Sequence, residues 1–226
     1  VTYRCNGNNN YTFFMDVYRD CNSGGAEFDN PAAVTIYRQN GSQYEVIETR
    51  NVNLAGPDVI IPEDGGPCIE PLNVCAGVNS YHIVYQRCCR NNSIDNLNDP
   101  GSQGATYTIE MTPEAQAVCN NSPTFNEFPP IVICANQPID FDHGATDIDG
   151  DLLVYKFCSP LLGGGLDGSP QMPNGSVTSC TGVAPNPGCP PPFSSVNYIV
   201  PTYSANNPMA GNPVVTIDPS TGFISG

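Results

Sequence analysis

The chain has 226 residues, of which 22 are Gly, 23 are Pro and only 13% are charged, so many positions fall in turns, which argues against a helix-rich fold. Its formal net charge of −15 repels phosphate backbones and anionic lipid head groups, which argues against nucleic acid and membrane surfaces as partners. Eleven Cys imply an oxidising compartment and hence a secreted protein. A cytosolic zinc protein lacks support, because no pair of CxxC knuckles occurs and only His82 and His143 offer imidazole.

Period-two alternation dominates from the start of the chain, since successive side chains on a strand point to opposite faces. Strands are expected over Tyr11 to Tyr18, Val34 to Arg38, Tyr44 to Ile47, Tyr81 to Arg87 and Ala105 to Thr112. In the last, Ala105, Tyr107, Ile109 and Met111 alternate with Thr106, Thr108 and Glu110. Turns are expected at Asn6-Gly7, Gly24-Gly25, Asn40-Gly41 and Gly65-Gly66, and the third lies between two strand patterns, which predicts a hairpin. The one helical signal is Thr112-Pro113-Glu114-Ala115-Gln116, a cap followed by Pro at the first helical position.

The stretch 123–130 lacks periodicity and carries three Pro, so it reads as a linker between a Cys-rich β-sandwich domain over 1–122 and a second sandwich over 131–226. Strands are expected there at Ile131 to Cys134, Ile139 to Phe141, Leu152 to Phe157, Val196 to Val200 and Val214 to Ile217. Residues 163–192 form a long Gly/Pro-rich insertion, which a Cys180 to Cys189 bridge or burial against a partner would order. No apolar run approaches the ~20 residues that span a bilayer. No signal pattern stands at the amino terminus, and the last residues lead from a turn into a strand, so the chain reads as a segment of a larger protein.

The sharpest chemical motif is the run from Asp140 to Asp151, in which Asp140, Asp142, Asp147, Asp149 and Asp151 crowd together. Calcium takes six to eight oxygen ligands, and clustered carboxylates repel one another unless a cation or solvent relieves them. These five residues are therefore the candidate metal ligands, with Ca2+ the implied ion; an acidic turn with solvated carboxylates reads equally from the same residues. An EF-hand is excluded, because Cys158 stands where its twelfth-position Glu would be.

All eleven Cys are disulfide candidates. Cys88 and Cys89 are adjacent, and strand alternation directs them to different partners, not to each other. Cys119 and Cys134 flank the linker and would staple it. Cys5, Cys21, Cys68 and Cys75 admit too many pairings to assign, Cys158 is unassigned, and the odd count leaves one thiol free or joined to another chain. Asn10, Asn40, Asn91, Asn120 and Asn174 each open an Asn-x-Ser/Thr sequon.

The stretches Ala145-Thr146-Asp147-Ile148-Asp149-Gly150-Asp151-Leu152-Leu153-Val154-Tyr155 and Val215-Thr216-Ile217-Asp218-Pro219-Ser220-Thr221-Gly222-Phe223-Ile224-Ser225-Gly226 together resemble the cadherin-like, dystroglycan-type immunoglobulin repeat of bacterial surface proteins. That resemblance implies a β-sandwich and calcium at Asp147, Asp149 and Asp151. In the first half, Thr2-Tyr3-Arg4-Cys5, Val17-Tyr18-Arg19-Asp20-Cys21, Cys88-Cys89-Arg90-Asn91 and Cys119-Asn120-Asn121-Ser122-Pro123 are similar to large secreted proteins of Bacteroidota, of the gliding-motility and adhesin type.

The fold expected is all-β, with two tandem immunoglobulin-like or cadherin-like sandwiches, disulfides and long loops. The function expected is a structural segment of an extracellular adhesin, stalk or filament, whose partners are other copies or further domains of the same protein. The alternative is a calcium-assisted module that binds surface glycans or proteins. Catalysis is not expected, because no GxSxG elbow, phosphate-cradling loop or dinucleotide fingerprint occurs and both His lack an adjacent nucleophile signal.

Overall fold

The computed structural model of the chain describes residues 1–8, 10–16, 29–53, 59–61, 79–127, 133–134, 136–165 and 182–226. Cys21, Cys68, Cys75, Cys180 and Asn174 lie outside the described residues, as do the turns at Gly24-Gly25 and Gly65-Gly66 and residues 166–181 of the insertion. The chain is all-β, with several antiparallel sheets and almost no helix. No helix among the described residues is long and apolar enough to cross a membrane.

The largest sheet holds β3 (Ala32–Asn40), β4 (Gln43–Val52), β6 (Ser80–Arg87) and β7 (Ala105–Met111) in the order β4-β3-β6-β7. β3 and β4 form the hairpin expected at Asn40-Gly41, with Asn40 paired to Gln43 and Gly41 at φ 61, a left-handed value that glycine adopts without a Cβ clash. A second sheet joins β1 (Thr2–Cys5), β2 (Tyr11–Phe14) and β5 (Val59–Ile61) in the order β1-β2-β5. The two sheets share one core. Tyr3, Tyr11 and Phe13 of the three-stranded sheet bury with Val34, Ile36, Tyr81, Ile83, Tyr85 and Met111 of the four-stranded one. Strand alternation supplies these residues, and burial of this apolar surface is the main driving force for the packing.

The opposite face of the four-stranded sheet is polar and is also covered. Thr35, Tyr37, Gln86 and Thr106 point there, all buried. The Tyr37 hydroxyl donates to the Gly188 carbonyl at 2.5 Å, Gly188 N donates to Thr35 Oγ1 at 2.8 Å, and Cys189 N donates to Gln86 Oε1 at 2.5 Å. The Thr106 hydroxyl donates to Leu162 O, and the Cys88 amide to Val183 O. These bonds are needed because a buried, unpaired polar group costs about 1–3 kcal/mol. Residues near 161–165, at the start of the expected 163–192 insertion, and 183–189, within it, therefore close over the sheet. They cross the 123–130 boundary read from the sequence.

α1 (Pro113–Ala117) follows β7, and the Thr112 hydroxyl caps it by accepting from Ala115 N at 3.2 Å, as the Thr-Pro signal expected. Beyond it, β8 (Thr124–Phe125) pairs with β10 (Ala145–Thr146), and β9 (Asp140–Asp142), β11 (Thr216–Ile217) and β12 (Phe223–Ser225) form a sheet ordered β11-β12-β9. The strands expected at Leu152 to Phe157 and Val196 to Val200 are not formed. The first keeps its alternation, with Leu152 and Val154 92% and 73% exposed and Leu153, Tyr155 and Phe157 half-buried. Its one recorded backbone bond runs from Tyr155 N to Pro219 O, so the segment is extended without a continuous neighbour among the described residues. The second contributes an isolated bridge, Tyr198 to Leu97.

Two disulfide expectations are corrected. Cys88 and Cys89 are bonded to each other, with Cα atoms 3.0 Å apart and a cis peptide between them. β6 ends at Arg87, so strand alternation does not extend to this pair. Cys119 bonds Cys5 across a Cα separation of 5.4 Å and not Cys134, because the exit of α1 runs back along β1. Cys134 and Cys158 are free and exposed, whereas Cys189 is disulfide-bonded.

Candidate metal centre at the acidic loop

The acidic loop begins where β10 ends at Thr146, and its backbone wraps around one side chain. Asp147 Oδ1 accepts from the amides of Asp149 and Asp151 at 2.9 and 3.2 Å. Gly150, at φ 82, supplies the left-handed residue of this turn. The wrap brings the three alternating carboxylates to one side. One oxygen from each of Asp147, Asp149 and Asp151 lies within 4.8 Å of the other two.

Asp140 and Asp142 do not join that trio. They sit on β9, paired with Ser225 and Phe223 of β12, and Asp142 Oδ1 accepts from the Gly144 amide at 2.9 Å. The five-carboxylate set is therefore divided into a clustered trio and a strand-borne pair.

The trio docks on the exit of the first half, through residues that the sequence places at the end of the Cys-rich domain, Asn120 also opening a sequon. Asn121 N donates to Asp149 Oδ2 at 2.6 Å, and Asn121 Nδ2 reaches both Asp149 oxygens at 3.0 and 3.1 Å. Asn120 Nδ2 donates to Asp151 Oδ2. The same dipeptide grips β1: Asn121 Oδ1 accepts from Cys5 N at 2.9 Å, and Asn120 Oδ1 accepts from the Tyr3 hydroxyl at 3.2 Å. Ser122 closes the contact, donating its amide to Tyr3 O and accepting from Tyr3 N on its hydroxyl. Burial raises the Tyr3 phenol above its usual pKa, and the negative charges of Asp147, Asp149 and Asp151 push it further in the same direction. No signal in the sequence links 120–121 to 149–151; only the density of amides in Asn120-Asn121-Ser122 marks the place.

The donor set fits a hard cation. Two oxygens on one calcium ion, each about 2.4 Å from it, are at most about 4.8 Å apart. The three carboxylates meet that limit, and with Asp149 and Asp151 exposed, water can complete a shell of six to eight oxygens. An open hollow adjoins the loop, lined by Asp147, Asp151, Leu152, Leu153, Tyr155 and Ser220.

Both histidines lie against aromatic rings. His82 is buried in β6, shares a hydrogen bond of 3.0 Å with Gln39 Oε1 and meets the edge of the Tyr44 ring at 5.4 Å. Burial lowers its pKa, with Glu110 opposing. His143 stacks on Phe125 at 4.3 Å, and its buried Nδ1 has no hydrogen-bond partner among the described residues. No family model, curated protein or solved structure matches the chain.

Proposed function

We propose that the chain is a structural segment of an extracellular bacterial surface adhesin, stalk or filament. In this reading it is built from two tandem immunoglobulin-like or cadherin-like sandwiches, and calcium at Asp147, Asp149 and Asp151 stiffens their junction. One observation carries it: the acidic loop of the second half is bonded to Asn120 and Asn121, which are in turn fixed to β1 beside the Cys5–Cys119 bond. A cation there would neutralise three carboxylates at the place where the two halves meet, and so hold their relative orientation. The role is mechanical and needs no catalytic group. The oxidised cysteines agree with a secreted location, and further copies or domains of the same protein are its natural partners.

Electron microscopy of the native material, in calcium and again after chelation, tests this reading. Extended filaments or stalks that slacken or shorten in chelator are the expected result. Discrete globular particles in both conditions would overturn it. The hollow beside the acidic loop favours a second reading, a calcium-assisted module for surface glycans or proteins. A glycan array read with and without chelator separates the two, because saturable binding by single particles belongs to the module alone.

A further inference from the structure

A bond between residues far apart in sequence changes which part of a chain carries tension. Cys5 and Cys119 are joined across a sequence separation of 114, while Cys5 lies at the end of β1 and Cys119 just beyond α1. A pull applied at Val1 travels four residues, reaches Cys5 and crosses the disulfide. It then leaves through Asn120, Asn121 and Ser122 toward Gly226. The intervening chain, which includes β2, β3, β4, β6, β7 and α1, forms a closed covalent loop hanging off this route.

We propose that the Cys5–Cys119 disulfide is a mechanical bypass that shields the first sandwich from load carried along the protein. The inference rests on the stalk reading for its biological use, but the device follows from connectivity alone. Non-covalent contacts around the bond reinforce the route. The Cys5 amide donates to Asn121 Oδ1, and Tyr3 and Ser122 exchange both backbone and hydroxyl hydrogen bonds, so β1 and 120–122 meet as a short ladder beside the covalent link. Tension along β1 and tension along 120–122 therefore meet at the disulfide, which leaves β1 as the strand of the two-sheet core on the loaded route and places β2, β3, β4, β5, β6 and β7 inside the closed loop. Under load, the covalent route through Cys5 and Cys119 runs past the hydrogen-bonded β4-β3-β6-β7 sheet, whose strands all lie inside the closed loop.

The neighbouring disulfide does not share this role. Cys88 and Cys89 are consecutive, so their bond hides no chain length. The segment that packs on the outer face of the large sheet, near 161–165 and 183–189, lies downstream of Cys119 and is on the loaded route. It is held by hydrogen bonds such as Tyr37 Oη to Gly188 O and Cys189 N to Gln86 Oε1. These bonds therefore bear load directly, while the strands behind them lie inside the closed loop.

Single-molecule force spectroscopy tests the proposal, with handles at Val1 and Gly226 and the oxidised chain stretched until no further unfolding event occurs. Each released residue adds about 3.6 Å of contour. The oxidised chain is expected to fall short of its full extended length by at least about 40 nm, the length enclosed by the bond. Adding a thiol reductant in the same tether restores that length as a further unfolding event. A C5S/C119S double variant, checked for folding by far-ultraviolet circular dichroism, is expected to release the length without reductant. If the double variant does not fold, the reductant arm on the wild-type chain still decides the matter, with the bonded pair assigned by mass spectrometry of the digested oxidised protein. Full extension of the oxidised wild-type chain would overturn the proposal. So would a length that reductant restores but a folded C5S/C119S chain does not. Failure of the stalk reading appears elsewhere, as globular particles by microscopy, and leaves the force result standing.

Discussion

Tyr37, Tyr85, Tyr11 and Tyr3 are buried phenols in a chain without Trp, and their ionisation is expected to weaken the fold at high pH. Tyr37 and Tyr85 reach acceptors, the Gly188 carbonyl at 2.5 Å and Asp29 Oδ2 at 2.7 Å. The Tyr11 hydroxyl has no acceptor among the described residues. Burial raises all four pKa values, and for Tyr85 the hydrogen bond to Asp29 and its charge add to the effect. Tyr11 moves from 10.0 to about 12, through burial first and Tyr3 second. An acid whose folded pKa is raised keeps its proton in the native state after the unfolded chain has lost it. The contribution to stability is therefore full below about pH 10 and falls as pH climbs toward the folded value, by roughly 2–3 kcal/mol for Tyr11 alone. Urea midpoints measured at about pH 8 and about pH 11 are expected to drop, with tyrosinate absorbance rising in the same transition. A constant midpoint across that interval would show that the phenols ionise without opening the core.

The elements that formed as expected are those whose signals are local. Asn40-Gly41 made the β3–β4 hairpin, Thr112-Pro113 made α1, and alternation placed β2, β6 and β7. Leu152 to Phe157 shows the limit of such signals, because alternation encodes which face a side chain takes and not whether another strand lies alongside. The covering of the large sheet was illegible for a different reason. Alternation leaves open whether polar strand residues such as Thr106 face water or a neighbour, and here a Gly-rich segment more than fifty residues further along binds Thr35, Gln86 and Thr106 through backbone groups. Its fit depends on the absence of side chains. A Cβ at Gly104 would overlap the Gly163 carbonyl oxygen, a backbone atom that cannot rotate away, at the point where the Thr106 amide bonds Leu161 O. Gly104→Ala is expected to destabilise the protein by about 1–3 kcal/mol in urea and to raise hydrogen exchange at the amides of Thr106 and Leu162, with the Tyr3–Phe13–Ile83 core unaffected. An unchanged urea midpoint would mean that the segment shifts without loss, and that the polar face is not tightly closed.

At the scale of the whole molecule, long-range pairings decide how the halves are joined. The Asp147, Asp149, Asp151 spacing identified the acidic loop from sequence, whereas Asn120 and Asn121 lie some thirty residues away and carried no sign of contacting it. Cys5 and Cys119 were equally opaque, since eleven cysteines admit many pairings and only the return of 119–122 along β1 selects this one. The junction yields a thermodynamic expectation independent of any assembly. A ligand that binds only the folded state stabilises it by about 2.7 kcal/mol at one hundred times its dissociation constant. For a chain of this size that raises the melting temperature by roughly 5–10 °C. Thermal unfolding should shift upward by that amount in saturating calcium and return in chelator, whereas magnesium, which demands a tighter octahedral shell, should have less effect. A chain with a net charge of −15 also gathers cations diffusely, so the comparison belongs in roughly 0.15 M salt, where such screening is already saturated. Asp149→Asn removes one carboxylate of the trio and leaves an amide that can still accept from Asn121. The variant is expected to fold and to lose most of the calcium-dependent shift. An equal shift in Asp149→Asn would assign the stabilisation to diffuse charge neutralisation, and no shift in the wild-type chain would remove calcium from the junction.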